Sequence, residues 1–527
     1  MPKRRWALQV KHFSILTCGL ALLSAAPLQA AASESAVAIL QPSTSDRMEG
    51  QYYVPSTLDN VSWGSLPNRD SKPLFTVPSG STVTFDTVSH EGILEDQGRD
   101  PEKYFGSFGV SPDQVLDDAK AIAASEMIHD FDQDGPHIVT GPIAVEGAEP
   151  GDVLKVEVLS LTPRVPYGVI SNRHYKGALP GEFPENEGRQ EGASAENPEL
   201  YNNISKFTPV EEINGKLYGV LPIEKGGEVR FPLKPFTGIM GVAPNTSEKV
   251  SSVPPIETGG NIDINELGTG STLYLPVQVE GALFFTGDPH FAQGDGEVAL
   301  TAMEASLRAT FRLTLLKKGD PSIPRSGELK QPFAETEDYW IPIGLDPDLD
   351  EAMKEAVREA LGFLTEKLGM DRATAYAYMS AATDYEVSQV VDKTKGIHAL
   401  IEKRHFIDNL NLSAAVDGKP LDSAIIEDEF YVPLRSLAET LGYDVTWDAA
   451  NHAATATKGD TSVTVPVGNA IYQINGKAVY SSGTAILTDE QVTVIPIKAV
   501  SDIFGAKVNW TTSGRTLHAN ITYAMKR

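Results

Sequence analysis

Hydrophobic positions in the first two-thirds of the chain fall into short segments. Between residues 71 and 316, apolar runs such as 82–87, 153–161 and 272–279 recur with glycine and proline turns between them. Short apolar runs that are bounded by turn residues are typical of β-strands. The pattern therefore predicts a β-rich domain over this part of the chain.

A helical period begins near residue 346. Asp346 is predicted as an N-cap with Pro347 in the first turn, and apolar positions then recur at helical spacing up to Gly369. Asp371 is predicted to cap a second helix that continues to Val391, and residues 396–401 are predicted to form a closing strand. These elements make the predicted first domain, residues 71–405, an α+β domain that is β-rich with a C-terminal helical segment.

The end of the chain contains an internal repeat. Residues 432–447 combine a strand-like segment, a proline, a two-turn helical segment, a glycine and a tryptophan-bearing segment, and residues 495–510 repeat this order. Repeated units of this kind bury their apolar faces against each other. The repeat predicts a separate small α+β domain over residues 410–527. Residues 33–70, polar and rich in serine and proline, are predicted to be a leader into the first domain.

The first 32 residues have the pattern of a signal peptide. A basic start precedes an apolar run over residues 13–26, and Ala30 and Ala32 fit a cleavage site. The apolar run is shorter than the roughly 20 residues that a membrane-spanning helix needs. We therefore expect a secreted protein that is extracellular or associated with the cell wall, with an uncleaved N-terminal anchor as the alternative.

Charge and cysteine content exclude several classes of function. The 527 residues contain 44 basic and 71 acidic side chains, a formal net charge of −27, and this excludes a nucleic-acid partner because phosphate binding needs a basic face. The single cysteine, Cys18, lies within the predicted signal peptide. The mature chain would then have no disulfide, thiolate ligand or cysteine nucleophile.

The densest group of reactive side chains follows a predicted strand, in the segment GDPHFAQGDGE over residues 287–297. Asp288 and His290, two positions apart, face the same way in an extended segment and suit a zinc-like ion. The alternative is a turn whose carboxylates accept hydrogen bonds from backbone N–H groups. Spacing alone leaves both interpretations open.

Other candidates are scattered along the chain. Asn261 and Asp263 follow a glycine pair, His90 follows a predicted strand, and His137 precedes another. Each has a purely structural alternative, either a self-bonded turn or a hydrogen-bonded histidine. The aspartates at residues 130–134 imitate a calcium loop, but its twelfth position lacks the required glutamate, so an EF-hand is rejected.

Several longer segments resemble the acetamidase/formamidase family. They occur in the family's order between residues 75 and 405, and they are SHEGILEDQGRDP (89–101), DGPHIVTGPIAVEGAEPGDVL (134–154), SNRHYKGALPGEF (171–183), FTGIMGVAP, GGNIDI and LFFTGDPHFAQGDGE. The resemblance implies hydrolysis of the C–N bond of a short aliphatic amide, acetamide or formamide, by metal-activated water. The implied partner is a small amide substrate.

Amide hydrolysis needs a polarised carbonyl, an activated water and a proton for the departing ammonia, and this chemistry suggests roles for individual residues. The implied cofactor is a divalent metal, zinc by expectation, with calcium as a conceivable structural ion. The expected metal ligands are Asp288 and His290, with His90 or Asp263 completing the set. The expected catalytic residues are Glu297 as proton shuttle, Asp295, and Lys176 at the oxyanion, with Glu304 in reserve. The expected substrate-binding residues are Asn261 and His137.

The segment YVPLRSLAETLGYDVTW and its copy resemble the copper amine oxidase N-terminal-like domain. That domain implies contact with the cell wall or envelope, although this sequence shows no obvious copper ligand set. The rival to an enzyme is a non-catalytic envelope-binding protein on an amidase-like scaffold. We also expect a homo-oligomer.

Overall fold

The computed structural model describes residues 37–42, 48–326, 328–409, 411–426, 429–481, 483–488, 491–513 and 516–522. The predicted signal peptide, residues 1–32, and Cys18 lie outside these residues. Within the described ranges, no helix combines the length and the apolar character needed to cross a bilayer.

Strands dominate the chain up to residue 402. In chain order the strands are β1 (Tyr52–Val54), β2 (Val61–Trp63), β3 (Ser65–Leu66), β4 (Thr76–Val77), β5 (Ser81–Asp86), β6 (Ile138–Val145), β7 (Val153–Pro163), β8 (Tyr167–Asn172), β9 (Ile204–Ile213), β10 (Lys216–Pro222), β11 (Glu228–Pro232), β12 (Phe236–Val242), β13 (Val250–Ser251), β14 (Gly259–Asn261), β15 (Thr272–Pro276), β16 (Phe284–Ala292), β17 (Met303–Glu304), β18 (Leu307–Leu316), β19 (Phe333–Glu335), β20 (Tyr339–Asp346), β21 (Thr383–Gln389) and β22 (Lys395–Glu402). The α-helices are α1 (Pro101–Gly106), α2 (Asp117–Ala124), α3 (Leu349–Glu366) and α4 (Arg372–Ala382). Short 3-10 helices cover Leu58–Asn60, Glu95–Gln97, Pro112–Gln114, Pro198–Tyr201 and Lys403–Asn409.

Two large sheets form this region. Among the described residues, one sheet has the order β1-β5-β18-β7-β15-β19-β20-β22-β21. The other runs β11-β10-β9-β8-β17-β16-β12-β14, with β6 paired to β16 and with β2 and β4 paired to β6. Phe85 and Phe311 of the first sheet pack against Phe284 of the second, with ring centroids 5.7 Å apart in each pair. The sheets thus bury one face each in a common core. Strands β1 to β3, from the predicted leader, pair with strands of this domain.

The sequence alternation explains how these strands bury one face. In β7, Val156 and Val158 are buried while Lys155 and Glu157 are partly exposed, as the period of two in a strand requires. β16 differs, because eight of its nine residues are buried. It lies between β12, β17 and β6 in the interior of its sheet.

The first predicted helix exists, but its predicted N-cap is wrong. The cap of α3 is Asp348, whose side chain accepts hydrogen bonds from the backbone N–H groups of Asp350 and Glu351. Asp346 remains in β20, where it pairs with Lys395 of β22. Strand pairing therefore carries the chain two residues further before the helix begins, and the helix ends at Glu366.

The second helix is capped by Asp371 as predicted, since the Asp371 side chain accepts from the backbone of Thr374. Its predicted continuation to Val391 is wrong because α4 ends at Ala382 and the chain becomes β21. Residues 383–389 are rich in β-branched and aromatic side chains, and they pair antiparallel with β22. The predicted closing strand is confirmed as β22.

The C-terminal repeat has the predicted elements. They are β23 (Asn411–Val416), β24 (Lys419–Leu421), β25 (Ala424–Ile426), β26 (Glu429–Pro433), α5 (Leu434–Thr440), β27 (Asp444–Asp448), β28 (Ala453–Lys458), β29 (Thr461–Pro466), β30 (Ile471–Ile474), β31 (Lys477–Tyr480), β32 (Ile486–Leu487), β33 (Thr493–Pro496), α6 (Ala499–Phe504), β34 (Lys507–Ser513) and β35 (Thr516–Thr522). The two repeats meet where β26 pairs antiparallel with β33. Leu437 of α5 and Val500 of α6 lie in one shared apolar core.

A buried group of charges supports the first domain. The Arg164 side chain, which is fully buried, lies 2.8 Å from Oδ2 of Asp118 and donates to the backbone oxygens of Leu40 and Thr87. Asp86 accepts two hydrogen bonds from Arg308, at 2.7 and 3.0 Å. We call these four side chains, Asp86, Asp118, Arg164 and Arg308, the paired network. It connects the N-terminal segment, helix α2 and strands β5 and β18.

Candidate active site

Strands of the larger sheet carry polar side chains that meet at one end of a cavity. β16 contributes Asp288 and His290, and β17 contributes Glu304, which lies opposite His290 in the ladder. Asn261 ends β14, and Asp263 follows it in the chain. Asp288 and His290 therefore lie on one strand, although the backbone of Asp288 itself is not extended, with a φ angle of 49°.

Two histidines reach the same place from the ends of other strands. His90 follows β5, and His137 immediately precedes β6. Nδ1 of His90 is 3.8 Å and Nε2 of His137 is 3.7 Å from Oδ1 of Asp288. All three side chains are buried, and in the described structure neither this oxygen nor either nitrogen of His90 has a hydrogen-bond partner. Their donor atoms lie within 4.8 Å of one another, close enough to share one metal ion.

His290 joins a second set of donors beside the first. Its Nε2 lies 3.1 Å from Oδ2 of Asp288 and 3.1 Å from Oε1 of Glu304, and its Nδ1 lies 3.8 Å from Oδ1 of Asp263. Asp263, His290 and Glu297 also present donors within 4.8 Å of one another. We call the whole group of seven residues the floor cluster; its members are His90, His137, Asp263, Asp288, His290, Glu297 and Glu304.

Three carboxylates of the floor cluster lie on strained backbone. The φ angle is 48° at Asp263, 49° at Asp288 and 46° at Glu297. A non-glycine residue in this left-handed region costs on the order of 1–3 kcal/mol, and such residues concentrate at functional sites where the surrounding structure holds them. Three of them in one cluster indicate that the positions of the carboxylates matter more than local stability.

Gly238, in β12, keeps a space open among these side chains. A Cβ atom at this position would lie 2.6 Å from Oδ2 of Asp288 and 2.8 Å from Cε1 of His290, and it would also collide with Asp263. The unpartnered Oδ1 of Asp263 and the carboxylate of Asp288 thus converge on a position that only glycine leaves free. This arrangement fits a bound cation, which would satisfy donors that are costly to bury unpaired.

A second layer orients the two histidines. Nε2 of His90 faces Oε1 of Glu91 at 3.3 Å, and Glu91 in turn accepts hydrogen bonds from Arg173 at 3.0 Å and from Ser171 at 2.6 Å. Nδ1 of His137 lies 3.0 Å from the hydroxyl of Ser252. A polar partner behind an imidazole fixes which nitrogen faces a metal. Here Nδ1 of His90 and Nε2 of His137 are left to face Asp288.

Burial and neighbouring charges shift the pKa values of the site residues in different directions. Burial lowers the pKa of His137 to about 4, so its ring is neutral at pH 7. Burial, together with the charge of Asp263, raises the pKa of Glu297 well above its usual range. Burial opposes ionisation of Glu91, but the charge of Arg173 outweighs it and lowers the Glu91 pKa. The site therefore holds a neutral histidine and a glutamate whose ionisation is disfavoured close together.

The floor cluster opens into a cavity of about 650 Å³. Five of its members line that cavity, together with Asn261 and residues from two wall segments, 129–136 and 173–203. Pockets of roughly 300–1,000 Å³ are typical of small-molecule sites. The unpaired donors are thus accessible to a ligand although each side chain is buried.

The structure brings together six of the nine predicted site residues in the floor cluster: His90, His137, Asp263, Asp288, His290 and Glu297. Asn261 and Lys176 line the same cavity. The Oδ1 atom of Asn261 is buried and has no hydrogen-bond partner among the described residues. Lys176 lies on the exposed wall of the cavity. Asp295 lies elsewhere, in a separate group with Glu266, Glu386 and His398. Burial and the charge of Glu386 raise the Asp295 pKa to about 6.

Sequence reasoning missed two members of the site and ranked a third too low. Glu304 was only a reserve candidate, yet it lies in the floor cluster. Glu91 stands next to His90 in the family-like segment, and this adjacency was the available signal for its role. Asp392 lines the cavity, and burial together with the charge of Asp263 raises its pKa well above the usual range. No spacing signal marks Asp392, since it comes from the connection between β21 and β22.

Known proteins resemble this chain over the region that carries the site. The chain matches the Acetamidase/Formamidase family over residues 112–251 and 245–401 and the copper amine oxidase N-terminal domain over residues 415–519. A formamidase of Methylophilus methylotrophus is 27% identical over 309 residues, which cover 50% of this chain and 75% of that protein. An acetamidase of Mycolicibacterium smegmatis is 28% identical over 230 residues, which cover 36% of this chain and 56% of that protein. A solved acetamidase from Bacillus halodurans is 25% identical with a TM-score of 0.51, covering 68% of this chain and 99% of that one.

Fold and site together define a β-rich protein with a buried histidine and carboxylate cluster suited to a metal. Because the matched segments span more than half of the sequence, the chain belongs to the acetamidase/formamidase family, and it carries a C-terminal copper amine oxidase N-terminal domain. The predicted family and the predicted α+β, β-rich fold class are confirmed. The similarity spans little more than half the length of the acetamidase relative. Within the described part of the C-terminal domain, no three histidine, aspartate or glutamate side chains come close enough to share a metal.

Proposed function

We propose that this protein is an amidohydrolase that cleaves the C–N bond of a short linear amide to give a carboxylate and ammonia. The observation that carries the proposal is the floor cluster, in which buried donors without hydrogen-bond partners lie together at a cavity. Membership of the acetamidase/formamidase family supports the same reaction class. Formamide and acetamide are the first substrates to test.

His90, His137 and Asp288 would hold the metal ion that faces the cavity. Two imidazole nitrogens and one carboxylate oxygen are a donor set found in catalytic zinc sites. When bound, a divalent ion supplies a positive charge that polarises an amide carbonyl and activates water. Zinc is the ion we propose. His290 lies behind Asp288 and holds it from the side away from His137.

Three residues of the chain would handle the substrate and its protons. Asn261 donates from Nδ2 to the backbone oxygen of Val253, which leaves its buried Oδ1 to accept from the substrate amide nitrogen. Glu304 lies 3.8 Å from Nδ1 of His90 and lines the cavity, where it can accept a proton from the attacking water. Glu297 has a raised pKa and can donate a proton to the departing nitrogen. Acid and base roles thus go to two carboxylates in different environments.

The test is ammonia release by the purified chain without residues 1–32. Formamide, acetamide and propionamide would be assayed before chelation, after exhaustive chelation and after zinc is restored. We expect turnover that chelation abolishes and zinc recovers, and we expect Asp288→Asn to remain inactive after zinc is added. If the zinc-loaded protein releases no ammonia from any of the three amides, the proposed activity on short amides is wrong.

Secretion, envelope contact and assembly belong to the same proposal. The apolar segment at the start of the chain supports export, and the match to the copper amine oxidase N-terminal domain supports a contact domain at residues 415–519. Cell fractionation should place the mature chain outside the cytoplasm. Truncation after residue 405 should release it from the wall fraction, and sedimentation should show a homo-oligomer of the remaining domain.

A further inference from the structure

A second group of donors lies outside the floor cluster, where the C-terminal hairpin of the first domain meets two loops. It contains Glu266, Asp295, Glu386 and His398, whose donor atoms lie within 4.8 Å of one another. We call it the flank cluster. Glu386 lies opposite His398 in the ladder of β21 and β22, whereas Glu266 and Asp295 come from loops after β14 and β16.

His398 is the buried member of the flank cluster. Its side chain is 0% exposed, and its Nδ1 is held 2.8 Å from the hydroxyl of Ser388. Its Nε2 points towards the carboxylates, 3.2 Å from Oε2 of Glu266 and 3.6 Å from Oε2 of Glu386. Neither this nitrogen nor Oε2 of Glu266 makes a hydrogen bond within the residues that the structure describes. The imidazole is therefore aimed into a ring of carboxylates without the geometry of a hydrogen bond.

The excess of negative charge in the flank cluster would also favour a bound cation. Three carboxylates surround one imidazole, and their mutual repulsion is only partly screened because Glu266 and Glu386 are half-buried. Among the described side chains, Asp295 accepts a hydrogen bond from Asn265, at 2.9 Å. A divalent ion would neutralise two negative charges and would occupy the position that Nε2 of His398 and the carboxylate oxygens face.

We propose that Glu266, Asp295, Glu386 and His398 bind a second divalent cation with a structural role. A donor set that mixes imidazole with carboxylates suits a first-row ion such as Mn²⁺ or Zn²⁺, because Ca²⁺ takes oxygen ligands. The ion would connect the β21–β22 hairpin to the two loops that also carry Asp263 and Glu297 of the floor cluster.

The surrounding backbone shows what this cation would hold. The N–H of Gly296 donates to the carbonyl of Ser388 at 3.2 Å, and the N–H of Val390 donates to the carbonyl of Gly296 at 3.2 Å. The side-chain amide of Gln293 bridges the carbonyls of Asp263 and Ser388. The flank cation would lie beside these hydrogen bonds and would hold the loop that contains Gly296 from its solvent side.

The experiment counts bound Mn²⁺ in the mature two-domain chain. Metal would be removed by chelation, Mn²⁺ would be added, and bound ions would be counted by metal analysis after gel filtration and by electron paramagnetic resonance. We expect His398→Gln and Glu386→Gln each to bind one equivalent fewer than the unaltered chain. Asp288→Asn should lose a different equivalent, so the Asp288→Asn/His398→Gln double variant should lose two.

Glu402→Gln is the matched control. Glu402 lies on β22 like His398 and pairs with His405 at 3.0 Å, and among the described side chains this pair belongs to no group of three donors that could share an ion. It should keep the full count. Glu386 is half-buried, so Glu386→Gln decides the question if His398→Gln does not fold. If both variants retain the full Mn²⁺ count with unchanged far-ultraviolet circular dichroism, the flank cluster is an ion-pair group and the proposal is overturned. The count does not depend on amide turnover, so it remains informative if the proposed hydrolysis is absent.

Discussion

The floor cluster and the paired network are both buried groups of charged side chains, but they use their polar atoms differently. In the paired network, Asp86 accepts from Arg308 through both oxygens, and Arg164 lies 2.8 Å from Asp118. In the floor cluster, both nitrogens of His90 and both oxygens of Asp263 have no hydrogen-bond partner in the described structure. The two groups lie in the same domain and both contain buried aspartates, but the paired network has arginines where the floor cluster has histidines.

This difference separates charged groups that support the fold from charged groups whose polar atoms are free to bind a ligand. A buried ion pair with its hydrogen bonds made tolerates its own desolvation, and breaking it leaves a costly unpaired charge. Donors that are left unpaired and held on strained backbone lower stability unless something binds them. We therefore expect substitutions in the paired network to affect mainly stability, and substitutions in the floor cluster to affect mainly metal binding and turnover.

The largest effect on stability should come from Arg164→Met. It removes the charge beside Asp118 and leaves that buried carboxylate without its ion-pair partner, although Ser56 still donates to it; the loss should cost about 3–5 kcal/mol of unfolding free energy. Turnover per folded molecule should not change. Denaturant unfolding and ammonia release measure the two quantities. Arg312→Met is the control, because Arg312 is 40% exposed and pairs with Glu157 at 3.6 Å, a surface pair worth at most about 1 kcal/mol.

Asp288→Asn should have the largest effect on activity. Changes to outer-shell partners alone cost about 10–100-fold in metal affinity or activity, so loss of a direct ligand should exceed about 100-fold. The stability of the metal-free protein should fall less than in Arg164→Met. Metal analysis and ammonia release would show the loss, with Asp384→Asn, an exposed carboxylate on β21, as control. Equal destabilisation by Asp288→Asn and Arg164→Met would contradict the distinction between the two groups.

Gly238→Ala tests whether the space in the floor cluster is needed. The added methyl group would collide with Asp288, His290 and Asp263, so we expect metal binding and turnover to fall by about 100-fold, as for displaced ligands. Gly294→Ala is a close control, because a Cβ at Gly294 meets nothing within 4 Å. Retained activity in Gly238→Ala would show that the space holds no essential group.

Glu91→Gln should have a smaller effect. The variant keeps the shape of the side chain but removes the negative charge that faces Nε2 of His90 at 3.3 Å. Metal affinity should fall by about 10–100-fold, because the ring loses the carboxylate that orients it. Calorimetric titration of the metal-free protein with zinc measures this change. If the zinc affinity does not change, Glu91 pairs with Arg173 but does not orient His90 for the metal.

Substitution of Asp152 should have the smallest effect on stability, and that effect should depend on pH. Burial opposes its ionisation, but hydrogen bonds from Lys317 at 2.7 Å and from the backbone of Glu149 and Lys318 at 2.9 Å lower its pKa. A carboxyl group with a lowered folded pKa contributes stability above its unfolded value of about 3.9 and loses it as the pH falls further. Asp152→Asn should therefore cost about 1–2 kcal/mol at pH 7 and less below about pH 4. The exposed neighbour Glu149, changed to Gln, should show little effect in the same urea titrations.

Much of the fold could be predicted because its signals are local. The short apolar segments identified β5, β7 and β15, and the repeated proline, helix and tryptophan order identified both halves of the C-terminal domain. Errors arose where distant pairing overrode local preference. Residues 383–389 continue a helical pattern, but β22 supplies a partner strand and the segment becomes β21. Asp346 fits an N-cap by sequence, yet its pairing with Lys395 keeps it in β20.

The sequence by itself determined the strand-rich domain, the C-terminal repeat and the family, and it identified His90, His137, Asp263, Asp288, His290 and Glu297 as candidates. These signals lie within short segments, where residue type and spacing alone indicate strands, turns and possible metal ligands. Only the tertiary structure decided which candidates share a site. It moved Asp295 to the flank cluster, raised Glu304 from a reserve candidate to a member of the site, and added Glu91 and Asp392. The reason is that two sheets bring together residues from distant segments, and the distances between those residues depend on strand register and loop geometry rather than on spacing along the chain.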